Sequence, residues 1–143
     1  MKSVQISEYG SSDVIKIEEY SPIPSPSTGK IQAKIIAAGV NPVDWKIREG
    51  HFGEMMPLQF PATLGIDFSG VVEQIGEVNS DAPLDFKQGD EVYGQASISS
   101  GGSGAFAELA LAYKDSIADK PKSLSHLQAA GYHLLVSALG KDL

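Results

Sequence analysis

The chain has 143 residues, the size of one ordinary domain and enough to bury a core without disulfide or metal staples. Its net charge of -7 excludes the basic surface that nucleic acid or an anionic membrane would need. Hydrophobic content of 42% with 20% charged residues sets it among globular rather than disordered chains, and the absence of cysteine removes any disulfide framework.

Val4 to Ser7 and Val14 to Tyr20 read as a hairpin around the turn-rich tip Tyr9-Gly10-Ser11-Ser12-Asp13. Ser21 to Gly29 carries three prolines in nine residues. That composition suits a flexible linker or a rigid connector, and the length of the chain favours the connector. Ile31, Ala33, Ile35 and Ala37 alternate with Gln32 and Lys34, the pattern of a half-buried strand. Pro42 to Glu49 reads as a short helix with Asn41 as N-cap, Pro42 at its first position and Gly50 as its stop. Phe68 to Val78, Asp90 to Gly94 and Ala105 to Ala112 read as further strands, with Gly70 and Gly76 marking bends or close backbone approach. Ser125 and Gln128 then form a capping box, S-x-x-Q. Leu127, Ala130, Leu134, Val136 and Ala138 follow at roughly helical spacing, interrupted by Gly131. The reading is mainly β with short helices: a Gly-rich, irregular β-barrel over residues 1–122, then a helical segment over 123–143. No run approaches the ~18 apolar residues of a membrane span. The N-terminus lacks an apolar leader segment, so the cytoplasm is the default compartment.

The order of features between Ala37 and Gly76 is the most specific. A strand ends, Asn41-Pro42-Val43-Asp44 turns into a helix, a Pro-punctuated loop follows, and Gly65-Ile66-Asp67-Phe68-Ser69-Gly70 opens a new strand. With its flanks, about residues 1 to 140, this resembles the substrate-side GroES-like domain of the medium-chain dehydrogenase/reductase superfamily, in its zinc-independent quinone oxidoreductase branch. Gly104-Ala105-Phe106-Ala107-Glu108 is similar to a structural strand of that barrel. The resemblance implies a nucleotide-binding Rossmann domain after the helical segment. Such a domain needs ~150 further residues and a Gly-rich turn between a strand and a helix, and these 143 residues hold neither. The cluster Gly101-Gly102-Ser103-Gly104 lacks the G-x-G-x-x-G spacing and precedes a strand-like segment, so it reads as a loop rather than a phosphate site.

Zinc-dependent relatives hold their catalytic metal with two cysteines and a histidine. This chain has no cysteine, and Gly65-Ile66-Asp67 puts isoleucine where the resembling zinc branch has its histidine. His51, His126 and His133 show no ligand spacing, so no metal is expected. In the zinc-independent branch, hydride passes from NADPH to a quinone or conjugated enone, and the protein supplies orientation and hydrogen-bond donors.

The resemblance places Asn41 beside the active-site cleft, where its amide suits a substrate oxygen or the nicotinamide ribose; a helix cap before Pro42 explains it equally well. Trp45, one turn on, stands near a position often held by tyrosine in relatives. It suits stacking on a quinone but not proton donation, and core or domain-interface packing is the plainer reading. Asp44 reads as a structural acid bonding nearby backbone amides. His51 and Phe52 follow in a loop that rims the substrate opening in relatives, with Met55 and Met56 as adaptable apolar surface or gap filler. Ile66 and Asp67 complete the expected pocket, Asp67 as a structural acid or as a group with unusual titration. Ser137, in Val136-Ser137-Ala138-Leu139, is similar to a Leu-Thr-Ala element that touches the cofactor in full-length relatives.

The expectation is therefore the substrate-side domain of an NADPH-dependent reductase of small quinones or enones, inactive and without bound cofactor when alone. An exposed docking face would also allow a homodimer. A self-sufficient, non-enzymatic GroES-like binding or assembly module is the other reading. Small size and acidic charge suit it, while the N-P-x-D and G-x-D-F-S-G elements point away from co-chaperonins.

Overall fold

A computed structural model describes residues 1–78, 85–99 and 102–139, the last seven of these by backbone alone. The chain is mainly β with two helices among these residues, as the sequence reading expects. The N-terminal hairpin forms from β1 (Ser3–Ile6) and β2 (Lys16–Glu18), with Val4 opposite Ile17. Strand β3 (Lys30–Ala38), helix α1 (Pro42–Arg48), the short β4 (Ala62–Thr63) and β5 (Asp67–Ile75) follow. After these come β6 (Glu91–Gln95), β7 (Leu109–Tyr113), β8 (Ile117–Asp119) and α2 (His126–Leu139).

The strands make two antiparallel sheets, one ordered β2-β1-β4 and one ordered β7-β3-β5-β6-β8. Among the described residues neither closes on itself. The segment Gly104–Glu108 forms the seam between them. Phe106 N–H donates to Leu64 O at 2.8 Å and Phe106 O accepts from Val4 N–H at 2.8 Å, while Glu108 O accepts from Ile35 N–H at 2.9 Å. Ala107 makes a single bridge with Ser3. These bonds run to several different elements, so no continuous ladder forms. The strand expected from Ala105 therefore begins only at Leu109, and the strand expected to reach Val78 ends at Ile75.

Two apolar clusters fill the interior. Ile31, Phe68, Val72 and Val92 centre one within the five-stranded sheet. Ile6, Ile47 of α1, Leu58 and Leu64 centre the other, under the hairpin and the loop after α1. Full burial of a side chain such as Phe68 contributes about 1.5–3 kcal/mol. The Pro-rich stretch is tied down as a connector: Ser21 Oγ bonds Ser3 Oγ at 2.8 Å, and Gln32 Nε2 donates to Pro24 O at 2.7 Å.

Helix α2 packs on β5, β3 and β6 and starts as expected. Gln128 N–H donates to Ser125 Oγ at 3.1 Å, and Gln128 Oε1 accepts from Ser125 N–H at 2.9 Å. Of the apolar residues at helical spacing, Ala130 is buried together with its neighbour Ala129, while Leu127 is 80% exposed. The approach is too close for large side chains: a Cβ on Gly39 would stand 2.7 Å from Ala130 O.

Candidate functional site

Strand β3 ends at Ala38, but its pairing with β5 continues one step further, through Gly39 N–H to Asp67 O at 2.9 Å. Asn41, at the N-cap of α1, is thereby carried to the side of Asp67, the first residue of β5. Asn41 Nδ2 donates to Asp67 Oδ2 at 3.0 Å. The bond that closes the start of α1 comes from the acid three residues on, as Asp44 Oδ2 accepts from Asn41 N–H at 2.7 Å. Asn41 thus joins two buried carboxyl groups, Asp44 at 7% and Asp67 at 1% exposure.

Burial is the largest influence on Asp44 and pushes its carboxyl above the usual range. The Asn41 amide offsets part of this, the nearby Asp67 charge adds to it, and the Ile66 amide offsets more. Asp44 Oδ1 is buried without a hydrogen-bond partner. The Asp44 carboxyl therefore gives up its proton less readily than an exposed one.

A cavity of about 180 Å³ opens beside this cluster, lined by Asn41, Asp44, Trp45 and Arg48 of the helix region and by apolar atoms of Val4, Ile15, Val40, Leu64 and Phe106. Pockets that enclose a whole organic ligand run to about 300–1,000 Å³, so this is the size of one wall of a cleft. Trp45 is 42% exposed and is therefore not core. Its ring meets His51 edge-on at 5.4 Å, and His51 Nε2 lies 3.2 Å from Glu49 Oε2.

Of the residues singled out from sequence, Asn41, Trp45 and Asp67 come together directly or through one bond. His51 joins them through Trp45. Phe52 and Ile66 pack instead against the second apolar cluster, as does Met56, whereas Met55 is exposed. The backbone of Ser137 lies in α2, but its side chain, that of His133 and all of Gly101 lie outside the described residues. Gly102 and Gly104 are packing positions, since a Cβ on either would fall 1.9 Å from Ser97 O or 2.3 Å from Leu64 O. Among the described residues no group of three or more histidine, cysteine or acidic side chains is placed to hold a metal ion, and no helix is long and apolar enough to cross a membrane.

A second polar constellation carries no signal in the sequence. His126, the first residue of α2, bonds Ser69 of β5 and Glu91 of β6, residues 57 and 35 positions away. Only tertiary pairing brings them together.

Residues 27–122, which include Asn41, Asp44, Trp45 and Asp67, match the alcohol dehydrogenase GroES-like domain family. Over 130 residues the chain is 37% identical to the quinone oxidoreductase of Sus scrofa, an alignment covering 91% of this chain and 36% of that protein. It is 34% identical over 147 positions to the chloroplastic NADPH-dependent alkenal/one oxidoreductase of Arabidopsis thaliana, covering 100% of this chain and 37% of that one. The solved quinone oxidoreductase of Escherichia coli, complexed with NADPH, superposes with a TM-score of 0.73 at 27% identity, over 91% of this chain and 36% of that structure. The chain spans little more than a third of the length of these relatives.

Proposed function

We propose that this chain, which belongs to the alcohol dehydrogenase GroES-like domain family, supplies the substrate-side wall of a zinc-independent, NADPH-dependent reductase of quinones or conjugated carbonyls. The observation that carries this reading is the Asn41 amide, fixed by Asp67 at the edge of a cavity it shares with the half-exposed Trp45. One amide proton is committed to Asp67, leaving a second N–H for a ligand. A donor held by buried partners costs little to reorganise when charge develops on a substrate oxygen. Trp45 offers a flat apolar face for a ring.

The fit to a dinucleotide is partial. Gly102 and Gly104 are filled by neighbouring backbone and offer no cradle for a pyrophosphate, so the nucleotide-binding part falls outside these residues. NADPH, when bound, supplies the hydride; Asn41 is the residue here that would meet its nicotinamide end, with Ser137 as a second contact. Residues 1–122 would make the GroES-like unit of this wall, and α2 (His126–Leu139) would lead toward that part. Exposed Val40 and Trp45 beside Asn41, with Leu127 and Tyr132 on α2, supply apolar surface for it. The chain alone then binds NADPH weakly, and a cytoplasmic setting suits the cofactor.

Trp45 is the only tryptophan, so its fluorescence tests the site directly. A small quinone is expected to quench it saturably in this chain, and Asn41→Ala is expected to weaken the saturable part. Quenching that stays linear with quinone concentration, and equal in both proteins, would overturn the reading. Saturable NADPH binding with turnover by the chain alone would overturn the divided site.

A further inference from the structure

Ser69 is fully buried on β5. Its Oγ lies 3.1 Å from Val92 O and 2.7 Å from His126 Nδ1. The other ring nitrogen, Nε2, lies 3.2 Å from Glu91 Oε1. Glu91 Oε2 is 3.5 Å from Lys120 Nζ, which also donates to Leu124 O at 2.7 Å. Carboxylate, imidazole and hydroxyl in this order resemble an activated nucleophile, but no substrate atom can reach a fully buried Ser69. The arrangement has a different consequence, which follows from counting protons.

A serine hydroxyl has one proton to give, and Ser69 has two acceptors within reach. When that proton goes to Val92 O, the short contact with His126 requires a proton on Nδ1. Nε2 faces a carboxylate and also favours a proton, so the ring is then the imidazolium. When the ring is neutral, the carboxylate keeps the single ring proton on Nε2. Nδ1 is then a lone pair, and Ser69 must turn its proton to it and release Val92 O.

We propose that His126, Ser69 and Glu91 form a proton-operated latch, in which protonation of the imidazole turns the Ser69 hydroxyl from His126 to the Val92 carbonyl and tightens the start of α2 on β5 and β6. This stands apart from the catalytic reading above. Among the described residues the charged group bonded to the ring is Glu91 from β6, whose second oxygen lies 3.5 Å from Lys120 Nζ. Hydrogen bonds to an ionised partner are roughly twice as strong as neutral ones, and the imidazolium makes two. The latch acts close to the candidate site, because the α2 turn it holds places Ala130 O against Gly39, and Gly39 lies against Asp67.

The test is nitrogen and carbon NMR of this chain from about pH 8 to about pH 5, the range in which histidines titrate. Glu91 stays ionised throughout, since its bond to His126 and the Lys120 charge hold it below the usual carboxylate range. The neutral ring is expected as the Nε2–H tautomer, and the Val92 carbonyl shift is expected to follow the His126 titration in the native chain but not in Ser69→Ala. Protection of the Ala129 and Ala130 amides is expected to rise about tenfold on protonation, again only in the native chain. Other titrations, including that of Asp44, are common to both proteins and cancel in the comparison. A neutral Nδ1–H tautomer, or a Val92 carbonyl indifferent to the His126 titration, would overturn the latch. Both readings come from the native chain and hold whether or not Ser69→Ala folds.

Discussion

Asn41 Nδ2 lies 3.0 Å from Asp67 Oδ2 across 26 residues of sequence, and this bond fixes the head of α1 to the first residue of β5. It makes Asn41 both the entry to a helix and a donor to a buried acid. Removing it leaves Asp67 short of that donor in a site with 1% exposure. Asn41→Ala is expected to destabilise the chain by about 1–3 kcal/mol, the cost of depriving a buried charged acceptor. Urea unfolding at neutral pH measures this, and a change below about 0.5 kcal/mol would show that the bond contributes little to the fold.

Asp44 makes a separable prediction about pH. Burial first, and the Asp67 charge next among the raising influences, put its native-state pKa above the unfolded value. The native state then binds the proton more tightly than the unfolded chain does, and the group's contribution is complete below the unfolded pKa. It is lost as pH rises through the native value. Asp44→Asn removes this group's titration while keeping an acceptor near the Asn41 N–H. Its stability is expected to fall less than that of the native chain as pH rises through this window, in unfolding curves collected at closely spaced pH. Parallel profiles for the two proteins would place the titration elsewhere.

Gly39 links the candidate site to α2. A Cβ there would stand 2.7 Å from Ala130 O and 3.3 Å from the Asp67 Cβ, so backbone on one side or the acid on the other must move. Gly39→Ala is expected to cost about 1–3 kcal/mol by overpacking. It should also shift the amide resonances of both Asp67 and Ala130 in the NMR spectrum. Shifts confined to the immediate neighbours of Gly39 would mean that the helix and the site are not coupled through this contact.

What could be read from sequence was what local chemistry specifies. The α1 helix announces itself through Asn41-Pro42 and Gly50, the last with φ of 87°, and β3 through its alternation. The short strands β4 and β8, of two and three residues, have no pattern of their own and exist because β1 and β6 offer them an edge. The same limit applied to the side chains. Asn41 and Trp45 stood out through the resemblance, one turn apart at one short helix, whereas Ser69 and His126 are joined only when α2 folds back on β5. Leu127 and Ala130 both belong to the helical spacing read from sequence, but the close approach at Gly39 admits the alanine and leaves the leucine outside. Phe52 and Ile66 were apolar residues near a suspected opening, and they stand partly buried against the second apolar cluster.

The start of α2 is the last place where a local signal and a tertiary contact can be separated. Ser125 satisfies the Gln128 N–H at 3.1 Å, and Gln128 returns the bond to the Ser125 N–H at 2.9 Å, while the next residue, His126, ties the same turn to the sheet. Ser125→Ala removes one cap bond and leaves the His126 contacts in place. Caps of this kind contribute about 0.5–2 kcal/mol. If the helix start is held by the sheet as well as by its cap, exchange protection should fall mainly at Gln128, the donor to the lost oxygen, while Ala129 and Ala130 retain most of theirs. Loss of protection through all three amides would show that the cap holds the turn and that the sheet contact follows from it. Hydrogen exchange resolved by residue distinguishes the two.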